Sequence, residues 1–177
     1  TNWRAYYLHY IQNGKAEGRK GTGTNTMQGT TVYNGVDYSA VYNMDDYLNK
    51  NTDVKKAVGG DDLAAIAHFV NYGMKEGRQA SIKFDVNSYR MRYKDLRSAF
   101  GNNLKAYYNH YRINGYAEGR VATGSIELQN PTTVYNGVDY KLVYDYNYYI
   151  NKYPDIKAAF NGDENAALRH FVECGMN

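Results

Sequence analysis

Histidine, cysteine and carboxylate side chains are the groups through which this 177-residue chain could act as a base, a nucleophile or a metal site, and its four His, one Cys and 18 Asp and Glu residues are arranged against all three. His9, His68, His110 and His170 occupy one column of an internal repeat. A catalytic base needs its own pocket and partner, whereas one His per copy reads as a packing and hydrogen-bonding residue. No companion ligands recur beside these histidines, so a metal site is not expected. Asp145-Tyr146-Asn147 begins like a calcium loop but lacks Gly at the sixth position and Glu at the twelfth. Cys174 replaces Tyr72 and Asn114 in its column and has no His or acid paired with it. No nucleophile elbow, Gly-rich phosphate loop or paired carboxylates occur. The chain therefore reads as non-enzymatic, without catalytic residues, cofactor or metal.

The repeat supplies the elements that hold these residues. Val-Tyr-Asn-Gly-Val-Asp-Tyr occurs at 32–38 and again at 134–140. A weaker match carries Tyr47, Asp53, His68, Gly73 and Glu76-Gly77-Arg78 onto Tyr89, Asp95, His110, Gly115 and Glu118-Gly119-Arg120. Residues 1–19 lie over 102–120, and the sequence ends inside another copy. The organisation reads as the end of a B-type copy (1–20), a connector (21–31), copy A with its hairpin (32–81), copy B (82–122), a connector (123–133) and a second A-type copy (134–177).

Each copy predicts three short helices. Asn43, Asp85 and Asp145 read as N-caps before Tyr47, Tyr89 and Tyr149, each followed four residues on by Asn51, Tyr93 or Tyr153. Asp53, Asp95 and Asp155 read as caps of a second helix ending near Gly59, Gly101 or Asn161-Gly162. A third helix begins near Asp61, Asn102 or Asp163, and in copy A it carries Ala65, His68, Phe69 and Tyr72 on one stripe up to Gly73. Asn34-Gly35 between alternating residues predicts a two-residue hairpin. Its tyrosines Tyr33 and Tyr38, with Tyr135 and Tyr140 in the second copy, are expected to pack on the first helix. The fold class is mainly α, with tandem repeats of about 42 residues and a small hairpin before alternate copies.

Composition narrows the partners. Hydrophobic residues make up 43% of the chain and charged residues 22%, enough apolar content for a core and too little charge for a disordered polyelectrolyte. A single Cys excludes an internal disulfide. The net charge of +3, with no basic run, argues against nucleic acid. No apolar run approaches the roughly 20 residues of a membrane span, and no leader-like segment opens the sequence.

Binding is what remains. Arg19, Arg78 and Arg120 of the recurring Glu-Gly-Arg are expected to pair with Asp53, Asp95 or Asp155. Columns of the third helix that change chemistry between copies, such as Lys105, Asn109 and Ile113 in copy B, are expected to face away from the core. Copy B offers the richest set for a partner: Arg90, Arg92, Arg97, Lys105, Tyr107, Tyr108, Asn109, Arg112, Ile113 and Tyr116. Tyr and Arg are the residues that most often anchor protein interfaces.

The pattern from Tyr89 to Arg120, with Tyr93, Asp95-Leu96, Ala99-Phe100-Gly101, His110-Tyr111, Gly115 and Glu118-Gly119-Arg120, resembles tandem repeats of secreted and cell-wall proteins of gut Firmicutes. The 134–140 lead-in and residues 147–160 look similar, so the resemblance covers nearly all of the chain outside the connectors. It implies an extracellular or cell-wall-attached bacterial module with a host protein as partner. Immunoglobulin-binding B-cell superantigens, which engage heavy-chain variable frameworks, are built from similar repeats. The alternative is a cell-wall or glycan-binding module attached to a cell-wall hydrolase. Self-association between repeats is also compatible with the truncated copies.

Overall fold

The computed structural model describes residues 3–18, 21 and 29–176; Arg19 lies outside the described residues. Among the described residues the fold is mainly α, with two small antiparallel hairpins.

The first helix of each copy is α2 (Met44–Lys50), α6 (Val86–Arg92) and α9 (Tyr146–Lys152). Asn43, Asp85 and Asp145 cap them, each accepting a backbone N–H three residues on, from Asp46 at 3.0 Å, Ser88 at 2.7 Å and Tyr148 at 2.7 Å. The second helices are α3 (Thr52–Val58), α7 (Lys94–Phe100) and α10 (Pro154–Phe160). They start after Asn51, Tyr93 and Tyr153, so Asp53, Asp95 and Asp155 are not their caps. These aspartates lie in the first turn, where a carboxylate suits the helix dipole and stays available to a cation. The third helices are α4 (Asp62–His68), α8 (Leu104–His110) and α11 (Glu164–His170), capped by Asp61, Asn103 and Asp163. In copy B the cap is thus Asn103, one residue beyond the expected Asn102. The first described helix, α1 (Trp3–His9), matches α8 in sequence.

Each third helix widens rather than stopping. Phe69–Gly73, Tyr111–Gly115 and Phe171–Gly175 form π turns, as does Tyr10–Gly14 after α1, and in copy A the chain runs on into α5 (Met74–Glu76). The glycine column has a steric cause. A Cβ at Gly73 would stand 2.6 Å from the Tyr47 hydroxyl, and one at Gly115 would stand 2.3 Å from that of Tyr89. The first-helix tyrosine presses its phenol directly against this turn.

The hairpins pair β1 (Val32–Tyr33) with β2 (Val36–Asp37) and β3 (Val134–Tyr135) with β4 (Val138–Asp139). Asn34 and Gly35 take φ of 49° and 75°, the left-handed pair that a type I′ turn requires. The hairpins pack on the third helix, not the first as the sequence suggested. Tyr38 meets Phe69 edge-on at 6.3 Å, and the Tyr135 hydroxyl donates to Glu173 at 2.5 Å. Two residues per strand cannot bury a face alone, so they attach where the π turn offers an apolar surface.

Copies A and B share one hydrophobic core, while the second A-type copy has its own around Tyr144, Ile150 and Leu168. Each complete copy closes on itself, since Asn43 N–H donates to Ala80 O at 2.7 Å and Asp85 N–H to Ala122 O at 2.9 Å. The 123–133 connector is packed: Leu128 is buried and exchanges two hydrogen bonds with the Asn147 side chain, at 2.9 and 3.0 Å.

Candidate functional site

The histidine column forms one contact three times. His68 Nδ1 stands 2.8 Å from the Tyr47 hydroxyl, His110 Nδ1 2.9 Å from that of Tyr89 and His170 Nδ1 2.8 Å from that of Tyr149. Burial pushes all three phenols above the ordinary tyrosine range, so they stay protonated and able to donate to the imidazole. His9, in the same column on α1, has no first-helix tyrosine of its own copy within this sequence. The geometry repeated in three copies describes a tie between first and third helices.

A second tie closes copies A and B. Gly77 and Gly119, at φ of 72° and 67°, turn the chain back so that the following arginine reaches the second helix. Arg78 reaches Asp53 at 2.8 Å and Glu76 at 2.5 Å, and Arg120 reaches Asp95 at 3.0 Å and Glu118 at 2.6 Å. The Arg78 hydrogen bond holds the exposed Asp53 carboxyl below the usual range. At Asp95 partial burial acts upward, and the hydrogen bond and charge of Arg120 outweigh it, leaving the carboxyl lowered. Asp155 has no Glu-Gly-Arg after it in this sequence.

The residues expected to meet a partner separate into an interior group and a face. Arg90 and Arg97 are 8% and 6% exposed, and Tyr107 and Tyr108 are fully buried, so none of the four forms the outward surface expected of it. Tyr107 packs edge-on against Phe100 and donates to Gly101 O at 2.8 Å. Tyr108 lies 5.6 Å from Phe69 and 5.0 Å from Phe84, and its hydroxyl donates to Arg78 O at 2.9 Å, so it joins copy B to copy A. Arg97 Nε faces Glu164 at 3.2 Å, and its other nitrogens donate to Arg90 O at 3.1 Å, Met91 O at 2.8 Å and Gln129 O at 2.5 Å. Arg90 Nη2 donates to Asn102 Oδ1 at 2.5 Å and to Gly162 O at 2.8 Å. These two arginines join copy B to the second A-type copy.

The rest lie nearer the surface. Arg92 donates to Thr123 O at 3.3 Å, Lys105 to Val70 O at 3.1 Å, and Asn109 is half-buried. Arg112 lies over the Tyr38 ring at 5.3 Å. Ile113 and Tyr116 are 59% and 62% exposed. Arg112 and Tyr116 line a cleft of about 550 Å³ with Asp37, Ser39, Ala40 and Lys83. The stretch just after β2 and the entry to copy B thus join this face, and the sequence reading missed both. The burial did have a signal: Tyr107 shares its column with Ala65 and Ala167, Tyr108 with Ile66 and Leu168, and Arg90 with Leu48 and Ile150. Those partners are apolar, which marks the columns as core.

Among the described residues no group of three His, Cys, Asp or Glu side chains is placed to hold a metal ion, and no helix is long and apolar enough to cross a membrane. Comparison with known protein families, with characterised proteins and with solved structures finds no match for the chain.

Proposed function

We propose that the chain is a non-enzymatic extracellular bacterial surface module that binds a host protein, immunoglobulin being the specific candidate through its heavy-chain variable framework. One observation carries the reading: Ile113 and Tyr116 stand exposed, and Tyr116 lines with Arg112 the cleft at the joint of copies A and B. An exposed aliphatic and an exposed tyrosine next to a half-sheltered arginine have the composition of an interface anchor. The same columns hold Asn71 and Met74 in copy A and Glu173 and Met176 in the second A-type copy, so this combination belongs to copy B alone. The resemblance to superantigen repeats adds the choice of partner.

Pull-down from serum with identification of the captured chain tests the reading. Immunoglobulin capture is expected, with at least a tenfold loss for the double variant Ile113→Glu and Tyr116→Glu at unchanged melting temperature. Binding of cell-wall fragments without immunoglobulin overturns it in favour of the glycan-anchoring alternative.

A further inference from the structure

The joint between copy B and the second A-type copy holds a cleft of about 570 Å³, a size that accommodates a small ligand. Its lining includes Arg90, Asn102, Tyr135, Gly162, Asn165 and Arg169. Arg90 is the unusual member. Its column is filled by buried Leu48 and Ile150 in the other copies, yet here a guanidinium is more than nine-tenths buried. It fits because Gly162 lacks a side chain: a Cβ there would stand 3.0 Å from Arg90 Cζ. The guanidinium's acceptors among the described residues, Asn102 Oδ1, Gly162 O and the Tyr107 hydroxyl, are all neutral, and its enclosed Nε has no hydrogen-bond partner.

The charges of the cleft do not cancel. Three arginines, Arg90, Arg97 and Arg169, line it against two carboxylates: Glu164, paired with Arg97, and Asp163, which accepts from Ala166 N–H at 3.0 Å and Asn102 Nδ2 at 3.4 Å and keeps its charge. Neither Arg90 nor the exposed Arg169 has a carboxylate within ion-pair distance among the described residues. A buried cation without a counter-charge favours an anionic guest, and guanidinium matches the planar geometry of a carboxylate. Beside the cations lie the Tyr135 ring, whose hydroxyl is tied to Glu173, and the exposed Asn165 amide, which has no protein hydrogen bond among the described residues. A ring face and an amide are the surfaces that a pyranose uses for its C–H and hydroxyl groups.

We propose that this cleft binds a carboxylated monosaccharide, with its carboxylate toward Arg90 and Arg169 and its ring on Tyr135. The site requires both copies, because copy B supplies Arg90 and the second A-type copy supplies the rest of this contact set. It is separate from the Ile113 and Tyr116 face and does not depend on the identity of the protein partner.

Titration of the whole chain with glucuronate, followed by amide NMR shifts, tests the proposal, with glucose and acetate as parallel probes. Glucuronate is expected to shift the amides of Gly162 and Asn165 with millimolar affinity, glucose to leave them unmoved, and acetate to bind at least about tenfold more weakly than glucuronate. Arg169→Gln is expected to weaken glucuronate binding about tenfold, and Asn165→Asp to abolish it, both at surface positions that leave the joint intact. No shift at about 50 mM glucuronate, equal shifts with glucose, equal affinity for acetate, or unchanged affinity in Arg169→Gln each overturns it.

Discussion

Copy B meets its two neighbours in opposite ways. Toward copy A it presents Tyr108, whose ring is enclosed by Phe69 and Phe84 in one continuous core. Toward the second A-type copy it presents Arg90 and Arg97, which bind backbone carbonyls and Glu164 between two separate cores. An apolar joint gains from removing surface from water, and its loss is felt by both copies at once. A buried ionic joint gains little net stability, because desolvation offsets the attraction, but its directional bonds admit few arrangements. Copies A and B therefore should behave as one cooperative unit, with the second A-type copy held in a defined orientation beside it.

The apolar joint is the place to cause the largest effect. Tyr108→Ala should destabilise copies A and B together by about 4 kcal/mol, while calorimetry shows the transition of the second A-type copy unmoved. Loss of copy B alone would refute the shared core.

At the ionic joint, Arg97→Ala should cost about 3 kcal/mol, because Glu164 is left buried and unpaired. Replacing both partners, Arg97→Met with Glu164→Met, should recover most of that loss in urea titration, since the gross attraction was offset by desolvation. A double variant as unstable as the single one would show that the carbonyl bonds of Arg97 outweigh its ion pair.

The smallest effect concerns acid. Asp95 is held below the usual carboxylate range when folded, so its contribution is present above the unfolded value near 3.9 and is lost as pH falls through the folded value. The transition of copies A and B should therefore lose stability below about pH 4, and Asp95→Asn should flatten that loss. An acid slope unchanged by this substitution would place the sensitive group elsewhere.

Much of the scaffold was legible because repetition separates constant columns from variable ones. The first-helix caps, the Asn-Gly hairpins, the helical class and the three helices per copy follow from local rules that act within a few residues. The exposed face of copy B was less legible. Arg90, Arg97, Tyr107 and Tyr108 looked like interface chemistry by type, and residue type does not state what stands opposite. Asp53, Asp95 and Asp155 have the right type for a cap, but a backbone turn at Asn51, Tyr93 or Tyr153 starts each helix earlier.

Tyr107 and Tyr108 show the limit most directly: their type suits an exposed anchor, yet both are fully buried against Phe100, Phe69 and Phe84. The sequence by itself determined helical period, caps, hairpin turns and the recurrence of Tyr, His, Gly and Glu-Gly-Arg. Only the tertiary structure decided which tyrosines are core, which arginines join copies and which residues of copy B stay exposed. The physical reason is that propensity and capping act along the chain, whereas burial depends on the element that packs across from it.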